Sequence, residues 1–308
     1  MKALILTDGK AGHENQSKAF ARALGCDFDV IAVKFKSKAA KALSYLLDNL
    51  GIRSEALIEG TSAIDADAGY NIVVGTGSGT FYAAKSIAKR IKVPCGAVLL
   101  PRGYHLESFD CILAPAFDNP PKAPNVVEIP VNLVAADAAF YENGIKAFTE
   151  KRGGYKHRAE AAAVIVGGPN KCSSMSPAWM KQQLEKIFAV HKPAGHEIWV
   201  TTSRRSPPEV EAVVDSFPFD YKLLYSKDHF NPIPAFVSLA SHLYVTAEST
   251  GMLSEACSFG NAEVHVMDNL NPGRHKFRKF AKFCSQLADR KVDLSAQFAA
   301  AKKLLRLV

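Results

Sequence analysis

The stretch HLYVTAESTGMLSEACSFGNAEVHVM, residues 242–267, decides the fold. Its ends, HLYVTA and AEVHVM, are short runs of apolar and β-branched residues, and the middle, near 249–259, has helical spacing. A strand, a helix and a strand in so few residues make a crossover unit, and strands joined that way run parallel.

The same alternation recurs outward from that point. Upstream lie AAAVIVGG, a helix near 177–190, HEIWVTT, a helix near 207–216, YKLLYS and a short helix near 233–240. The first half runs KALILT, a helix near 14–24, DVIAVKF, a helix near 38–50, NIVVG, a helix near 79–90, GAVLLP and CILAP. Apolar runs of four to six residues between helices are the pattern of parallel strands covered on both faces. The class is α/β. At 308 residues the chain exceeds one hydrophobic core, so two doubly wound, Rossmann-like domains are expected. The charged, non-periodic KRGGYKHR places their boundary near residue 155, giving domains 1–154 and 155–308. Domains of this kind bind ligands in a cleft at the carboxyl ends of their strands.

Composition narrows the class of protein. With 48% hydrophobic and 22% charged residues and no low-complexity tract, the chain has the make-up of a folded globular protein. The six cysteines are scattered without a CxxC pair or zinc spacing, which fits a reducing cytoplasm. No export signal is visible, and the longest apolar runs fall far short of the ~20 residues that span a bilayer.

The net charge of +8 sits in one place. Residues 271–308 hold ten Lys and Arg against Asp289 and Asp293, and the rest of the chain is balanced. RHKFRKFAKF interleaves these charges with Phe277, Phe280 and Phe283 at i, i+3, i+6. Residues 274–306 therefore read either as a contact with an anionic inner-membrane surface or as a solvated helix whose phenylalanines pack on their own domain. No nucleic-acid-binding motif accompanies the patch.

Each strand end is a candidate wall of a site. After AAAVIV, Gly167, Gly168 and Asn170 offer close backbone approach to a diphosphate, or simply a tight turn with Ser176 capping the helix at Pro177. After HEIWV, Thr202, Ser203, Arg204 and Arg205 present hydroxyls and two guanidinium forks to anionic oxygens, or form an exposed basic turn. In the deciding stretch, Glu248, Ser249 and Thr250 stand where strand gives way to helix, with Ser254 and Glu255 on that helix. A carboxylate there suits the two hydroxyls of a ribose, whereas Ser249 or Thr250 could serve only as a cap. After KALIL, the stretch TDGKAGHENQ supplies Asp8, Gly9, Lys10, Gly12, His13 and Glu14. His13 is a candidate general base, or a histidine that orders the loop through Asp8 or Glu14. The other histidines, among them His105, His191, His229 and His265, read as surface or core residues. Asp27, Asp29, Asp65 and Asp67 spell DxD outside the right strand context, so no metal is expected.

TDGKAGHENQ, TTSRRSPP and VTAESTGMLSEACSFGNAEVHV, in this order, resemble the bacterial branch of the mitochondrial fission "elongated mitochondria" family over nearly the whole chain. Asp118 in LAPAFDNP is similar to that family's P-x-x-D turn. The chain departs at GTGSGT, residues 75–80, where relatives carry a glycine-arginine-arginine turn, and at Phe117, where a histidine is usual. The family's layout is similar to GT-B glycosyltransferases of the MurG type. That resemblance implies an acceptor-side loop at 8–16 with His13, Glu14 and Asp118 as catalytic candidates, and a second domain holding a nucleotide-sugar donor. No cofactor is implied beyond that substrate.

Three function classes follow: a sugar transferase acting on a cell-envelope acceptor without a metal, a nucleotide-sugar 2-epimerase-like enzyme, or a scaffold that kept the fold without the chemistry. Plant relatives that recruit a dynamin-like partner illustrate the third. Fold likeness alone does not separate them.

Overall fold

The computed structural model describes residues 1–134, 137–154, 160–273, 277–287 and 292–307. The chain divides into two compact units, Met1–Ala135 with Asp293–Val308, and Ala136–Val292.

In the first unit, strands β1 (Lys2–Thr7), β2 (Asp27–Ala32), β5 (Ile72–Thr76), β6 (Cys95–Val98), β7 (Cys111–Pro115) and β8 (Val126–Ile129) form a parallel sheet in the order β2-β1-β5-β6-β7-β8. Strands β3 (Lys34–Phe35) and β4 (Ile58–Glu59) make a small antiparallel pair beside it. Helices α1 (Ala11–Ala23), α2 (Lys38–Asn49) and α3 (Phe81–Ile91) provide the crossovers. Alternate residues of β1 serve opposite faces, Leu4 and Leu6 packing with Phe81 and Tyr82, Ala3 and Ile5 with Phe20 and Leu24. Both faces of the sheet are thus buried, which is why the strands read as continuous apolar runs.

The second unit opens with α4 (Ala138–Lys151), capped by Asp137 through the Phe140 N–H and packed on α7. Its parallel sheet has the order β11-β10-β9-β12-β13, with β9 (Ala161–Ile165), β10 (Glu197–Thr201), β11 (Tyr221–Leu223), β12 (His242–Thr246) and β13 (Glu263–Met267). Helices α5 (Pro177–His191), α6 (Pro208–Ser216), α7 (Ile233–Leu239), α8 (Thr250–Ser258) and α9 (Phe277–Leu287) complete it. Ser176 caps α5 through the Trp179 N–H with Pro177 in the first turn, as its sequence signals.

Helix α10 (Ser295–Leu304) belongs to the first unit, where it packs on β7 and β8 and buries Ala301, with Leu305 buried just beyond it. The division therefore differs from the expected 154/155 boundary at both ends. Residue 155 lies outside the described residues, α4 joins the second unit, and the end of the chain returns to the first. Local sequence gives an amphipathic stripe but not the core that it covers.

The basic tail is correspondingly split. Phe283 in α9 is fully buried, as is Leu287, and Phe277 and Phe280 are half-buried. Phe283 is the most deeply buried of the stripe, whereas Phe277 and Phe280 stay partly accessible beside the charges of α9. Arg274, Lys276, Arg290 and Lys291 of the expected patch lie outside the described residues. Among the described residues no helix is long and apolar enough to cross a membrane.

Candidate functional site

In each unit some of the predicted site residues gather where the strand order reverses, at the carboxyl edge of a parallel sheet, and others stand apart. Crossovers leave in opposite directions from neighbouring strands there, so their loops part and open a crevice.

In the first unit that point lies between β1 and β5. Helix α1 begins at Ala11, earlier than its periodicity suggests, because the Lys10 carbonyl accepts the N–H groups of His13 and Glu14 at 2.9 and 3.1 Å. Gly12, His13 and Glu14 are therefore in the first helical turn and not in a loop. His13 Nδ1 lies 3.1 Å from Asp8 Oδ1, and Lys10 Nζ donates to Asp8 Oδ2 at 2.6 Å. Burial works to raise the Asp8 pKa, but the Lys10 hydrogen bond and the His13 charge outweigh it and hold the carboxyl below its usual value. The His13 ring lies against Gly77, whose φ of +84° and lack of a Cβ leave room for it. GTGSGT is thus the floor of the Asp8–His13 pair, and any side chain at 77 would displace the imidazole.

The other two catalytic candidates of this unit stand apart. Glu14 pairs with Lys18 one turn along α1 at 2.6 Å, an interaction that lowers its pKa. Asp118 ends a single turn after β7, with its Oδ1 3.5 Å from Arg102 Nη2. Strands β5 and β6 lie between β7 and β1, about 14 Å across the sheet.

In the second unit the reversal lies between β9 and β12, and Glu248 is its centre. This carboxylate is buried and accepts on both oxygens, Oε1 from the Gly168 N–H at 2.8 Å and the Thr246 hydroxyl at 3.1 Å, Oε2 from Asn269 Nδ2 at 2.7 Å. Arg205 Nη2 stands 3.9 Å from Oε1, and Asn170 Nδ2 donates to the Glu248 carbonyl at 3.3 Å. The Gly167 N–H donates to Thr246 Oγ1 at 2.9 Å, and the Ser206 hydroxyl donates to the Gly167 carbonyl at 2.5 Å. Gly168 lies so close to the Arg205 carbonyl that a Cβ would collide with it.

This clasp corrects the sequence reading. The amides of Gly167 and Gly168, expected to meet a diphosphate, already donate inward, and Glu248, expected among the donor-binding residues, already has its oxygens engaged. All three position the loops. Thr202 is buried and likewise engaged, hydrogen-bonded to Glu211 and accepting the Tyr225 N–H at 2.7 Å. The Ser203 hydroxyl accepts the Arg205 N–H at 3.2 Å and so holds the turn that carries the arginines. Those two side chains are exposed, and Arg204 lines a cavity of about 490 Å³ with Ser203, Ser206, Leu224 and Tyr225.

Ser249 precedes α8 without capping it through its side chain, which removes the capping alternative for that residue. Thr250 begins the helix, and the buried Ser254 hydroxyl donates back to the Thr250 carbonyl at 2.6 Å. Glu255 is not part of the Glu248 clasp. It accepts from the Tyr141 hydroxyl on α4 at 3.3 Å, and burial raises its pKa. Burial and the Glu255 charge raise the Tyr141 phenol too.

Sequence reasoning missed Thr246, Ser206, Asn269 and Tyr141. The first three stand at strand ends beside residues that were read, and the MDN after β13 was the strand end left unread. Tyr141 carried no signal, since its helix was not expected.

The family described as Mitochondrial fission ELM1 matches residues 11–302. The chain belongs to the Mitochondrial fission ELM1 family. An uncharacterized protein of Rickettsia prowazekii (strain Madrid E) is 27% identical over 146 residues, a stretch covering 45% of this ELM1-family chain and 39% of that relative. The matched stretch therefore spans well under half of the curated relative. Among solved structures, a candidate UDP-N-acetylglucosamine 2-epimerase from Listeria monocytogenes superposes with a TM-score of 0.56 at 12% identity, covering 100% of this chain and 97% of the other. The UDP-GlcNAc 2-epimerase of Methanocaldococcus jannaschii gives 0.52 at 13% identity, covering 100% and 98%. At such identity the likeness shows the fold: the ELM1-family chain has the two Rossmann-like units of a GT-B-type protein, as its motifs imply.

Proposed function

We propose that the chain is a sugar transferase whose second unit binds a nucleoside-diphosphate sugar and whose first unit activates an acceptor hydroxyl. One observation carries the reading. The Glu248 clasp draws the loops after β9, β10 and β12 together and leaves Arg204 and Arg205 exposed on the turn after β10, where Arg204 lines a cavity of about 490 Å³. Two guanidinium groups there suit the charge that develops on a leaving diphosphate.

His13, steadied by Asp8, takes the proton from the acceptor as its oxygen attacks the anomeric carbon, and the nucleoside diphosphate leaves. A positioned base of this kind contributes about 10² to 10⁴ in rate. Glu255, with Tyr141 on one oxygen, keeps the other for a ribose hydroxyl. The MurG-type resemblance gives a cell-envelope acceptor as the class to try.

The test is a thermal-shift screen against UDP-, GDP-, ADP- and CMP-sugars, followed by product analysis. A donor at about 100 times its Kd stabilises by about 2.7 kcal/mol, and the Arg204→Ala/Arg205→Ala double variant loses that gain. His13→Ala lowers turnover with donor binding kept, whereas Glu255→Ala weakens donor binding. If no nucleotide sugar raises the melting temperature, the transferase reading fails and the scaffold reading replaces it. An epimerised sugar in place of released nucleoside diphosphate selects the 2-epimerase reading.

A further inference from the structure

At the amino-terminal edge of the second unit's sheet, opposite the loops just described, four of the chain's nine histidines converge. Strands β12 and β13 run in parallel register with His242 beside Glu263 and Tyr244 beside His265. Positions two apart share a face, so His242, Tyr244, Glu263 and His265 project to one side of the sheet. His191, at the end of α5, and His196, just before β10, lie on that side as well: His191 is 4.9 Å from His242 between ring centres, and its Nε2 is 2.9 Å from the Tyr244 hydroxyl.

We propose that His242, Glu263 and His265 bind a divalent transition-metal ion of the zinc class. The three side chains already bring their donor groups together, one ligand atom from each lying within 4.8 Å of the others. His242 Nδ1 and His265 Nε2 are 3.3 Å apart, Glu263 Oε2 is 3.5 Å from His242 Nδ1, and Glu263 Oε1 is 3.6 Å from His265 Nε2. Tetrahedral coordination with metal–nitrogen and metal–oxygen bonds of about 2.0–2.2 Å requires ligand atoms about 3.3–3.5 Å apart. The two imidazole nitrogens thus match one edge of the tetrahedron, and the carboxylate sets one oxygen near each of them at close to that distance. Two imidazoles and one carboxylate are a donor set suited to zinc and its neighbours, and not to magnesium or calcium, which take oxygen.

The surroundings support the same ion. The Tyr244 ring stacks on His265 at 4.5 Å and 15°, fixing the plane of that ligand. His196 Nδ1 lies 2.9 Å from His191 Nδ1, and its Nε2 lies 3.4 Å from Glu160, so the neighbouring imidazoles form a hydrogen-bonded backing. Glu263 and His265 are 55% and 31% exposed at the side chain, which leaves an approach and a fourth position open to water.

The ion's place in the fold indicates its role. Strand β12 carries the chain about 13 Å from His242 to Thr246, so this ion does not touch a diphosphate at the other edge. It would staple β12 to β13, the two strands that carry Glu248 and Asn269 at their far ends. The site stands independently of the transferase reading.

The experiment uses the full chain without a polyhistidine tag, stripped with EDTA and titrated with Zn²⁺ alone by calorimetry, with Mg²⁺ as the control. The proposal expects one equivalent of Zn²⁺, a rise in melting temperature, and no heat from Mg²⁺. His242→Ala and His265→Ala should each weaken binding at least about 10-fold, and Glu263→Gln should also weaken it, while His196→Ala changes it by less. Circular dichroism of the metal-free variants shows whether each is folded, and Co²⁺ in the unmodified chain should give the intense visible bands of a tetrahedral site. Absence of Zn²⁺ binding overturns the assignment. So does binding that survives His242→Ala and His265→Ala, or binding lost in His191→Ala and His196→Ala but kept in His265→Ala.

Discussion

The Gly168 N–H donates to Glu248 Oε1 at 2.8 Å, joining two residues that are 80 positions apart in the chain. This bond ties the loop after β9 to the loop after β12, and Asn269 on the second oxygen adds the loop after β13. A buried carboxylate with neutral donors on both oxygens acts as a brace, and its loss would be felt first in stability.

Glu248→Gln replaces one acceptor oxygen with an NH₂ group, which must face either the Gly168 N–H or the Asn269 amide. A buried donor is then left without an acceptor. The cost should be on the order of 3 kcal/mol, read as a lower denaturation midpoint of the second unit. A variant as stable as the parent would show that Glu248 is free for a ligand.

Gly168→Ala places a Cβ against the Arg205 carbonyl, a backbone atom that cannot rotate away. The turn carrying Arg204 and Arg205 must then shift. If that turn grips a diphosphate, nucleotide-sugar binding should fall by about 10-fold or more, with a stability loss of about 1–3 kcal/mol. Calorimetry and thermal melts separate the two effects.

Asp8 is held below its ordinary pKa by Lys10 and His13 against the effect of burial. A carboxyl depressed in the folded state contributes stability that is fully present above the unfolded value near 4 and is lost as pH falls through the folded value. Asp8→Asn should therefore flatten the loss of stability below about pH 4 in denaturant titrations at a series of pH values. It should also slow turnover by misplacing His13.

Lys85 and Asp48 form a buried ion pair in the first unit, with Arg53 Nη1 3.2 Å from the same Asp48 oxygen and the His105 N–H donating to the other at 2.7 Å. Burial holds the Lys85 pKa down to about 8 despite Asp48. Lys85→Met should cost about 3–5 kcal/mol by leaving the carboxylate underpaired, and adding Asp48→Asn should recover part of it. Additive losses in chemical denaturation would deny the coupling.

The sequence by itself determined the alternation of strands and helices, the two Rossmann-like units and the family. Parallel strands buried on both faces must be unbroken apolar runs such as AAAVIV, and each crossover helix must carry its own stripe, so these signals are local. The strand ends carrying Asp8, His13, Arg204, Arg205 and Glu248 were legible for the same reason. What only the tertiary structure decided is what those groups touch. Glu248, expected among the donor-binding residues, became a brace because Gly168, Thr246 and Asn269 reach it, and Glu255 became half of a pair with Tyr141 from a helix that the sequence hid beside an apparent linker. The return of α10 to the first unit and the meeting of His242, Glu263 and His265 depend likewise on which strands become neighbours. Spacing along a chain fixes the period of an element, whereas the partner across a sheet is set by packing of the whole unit.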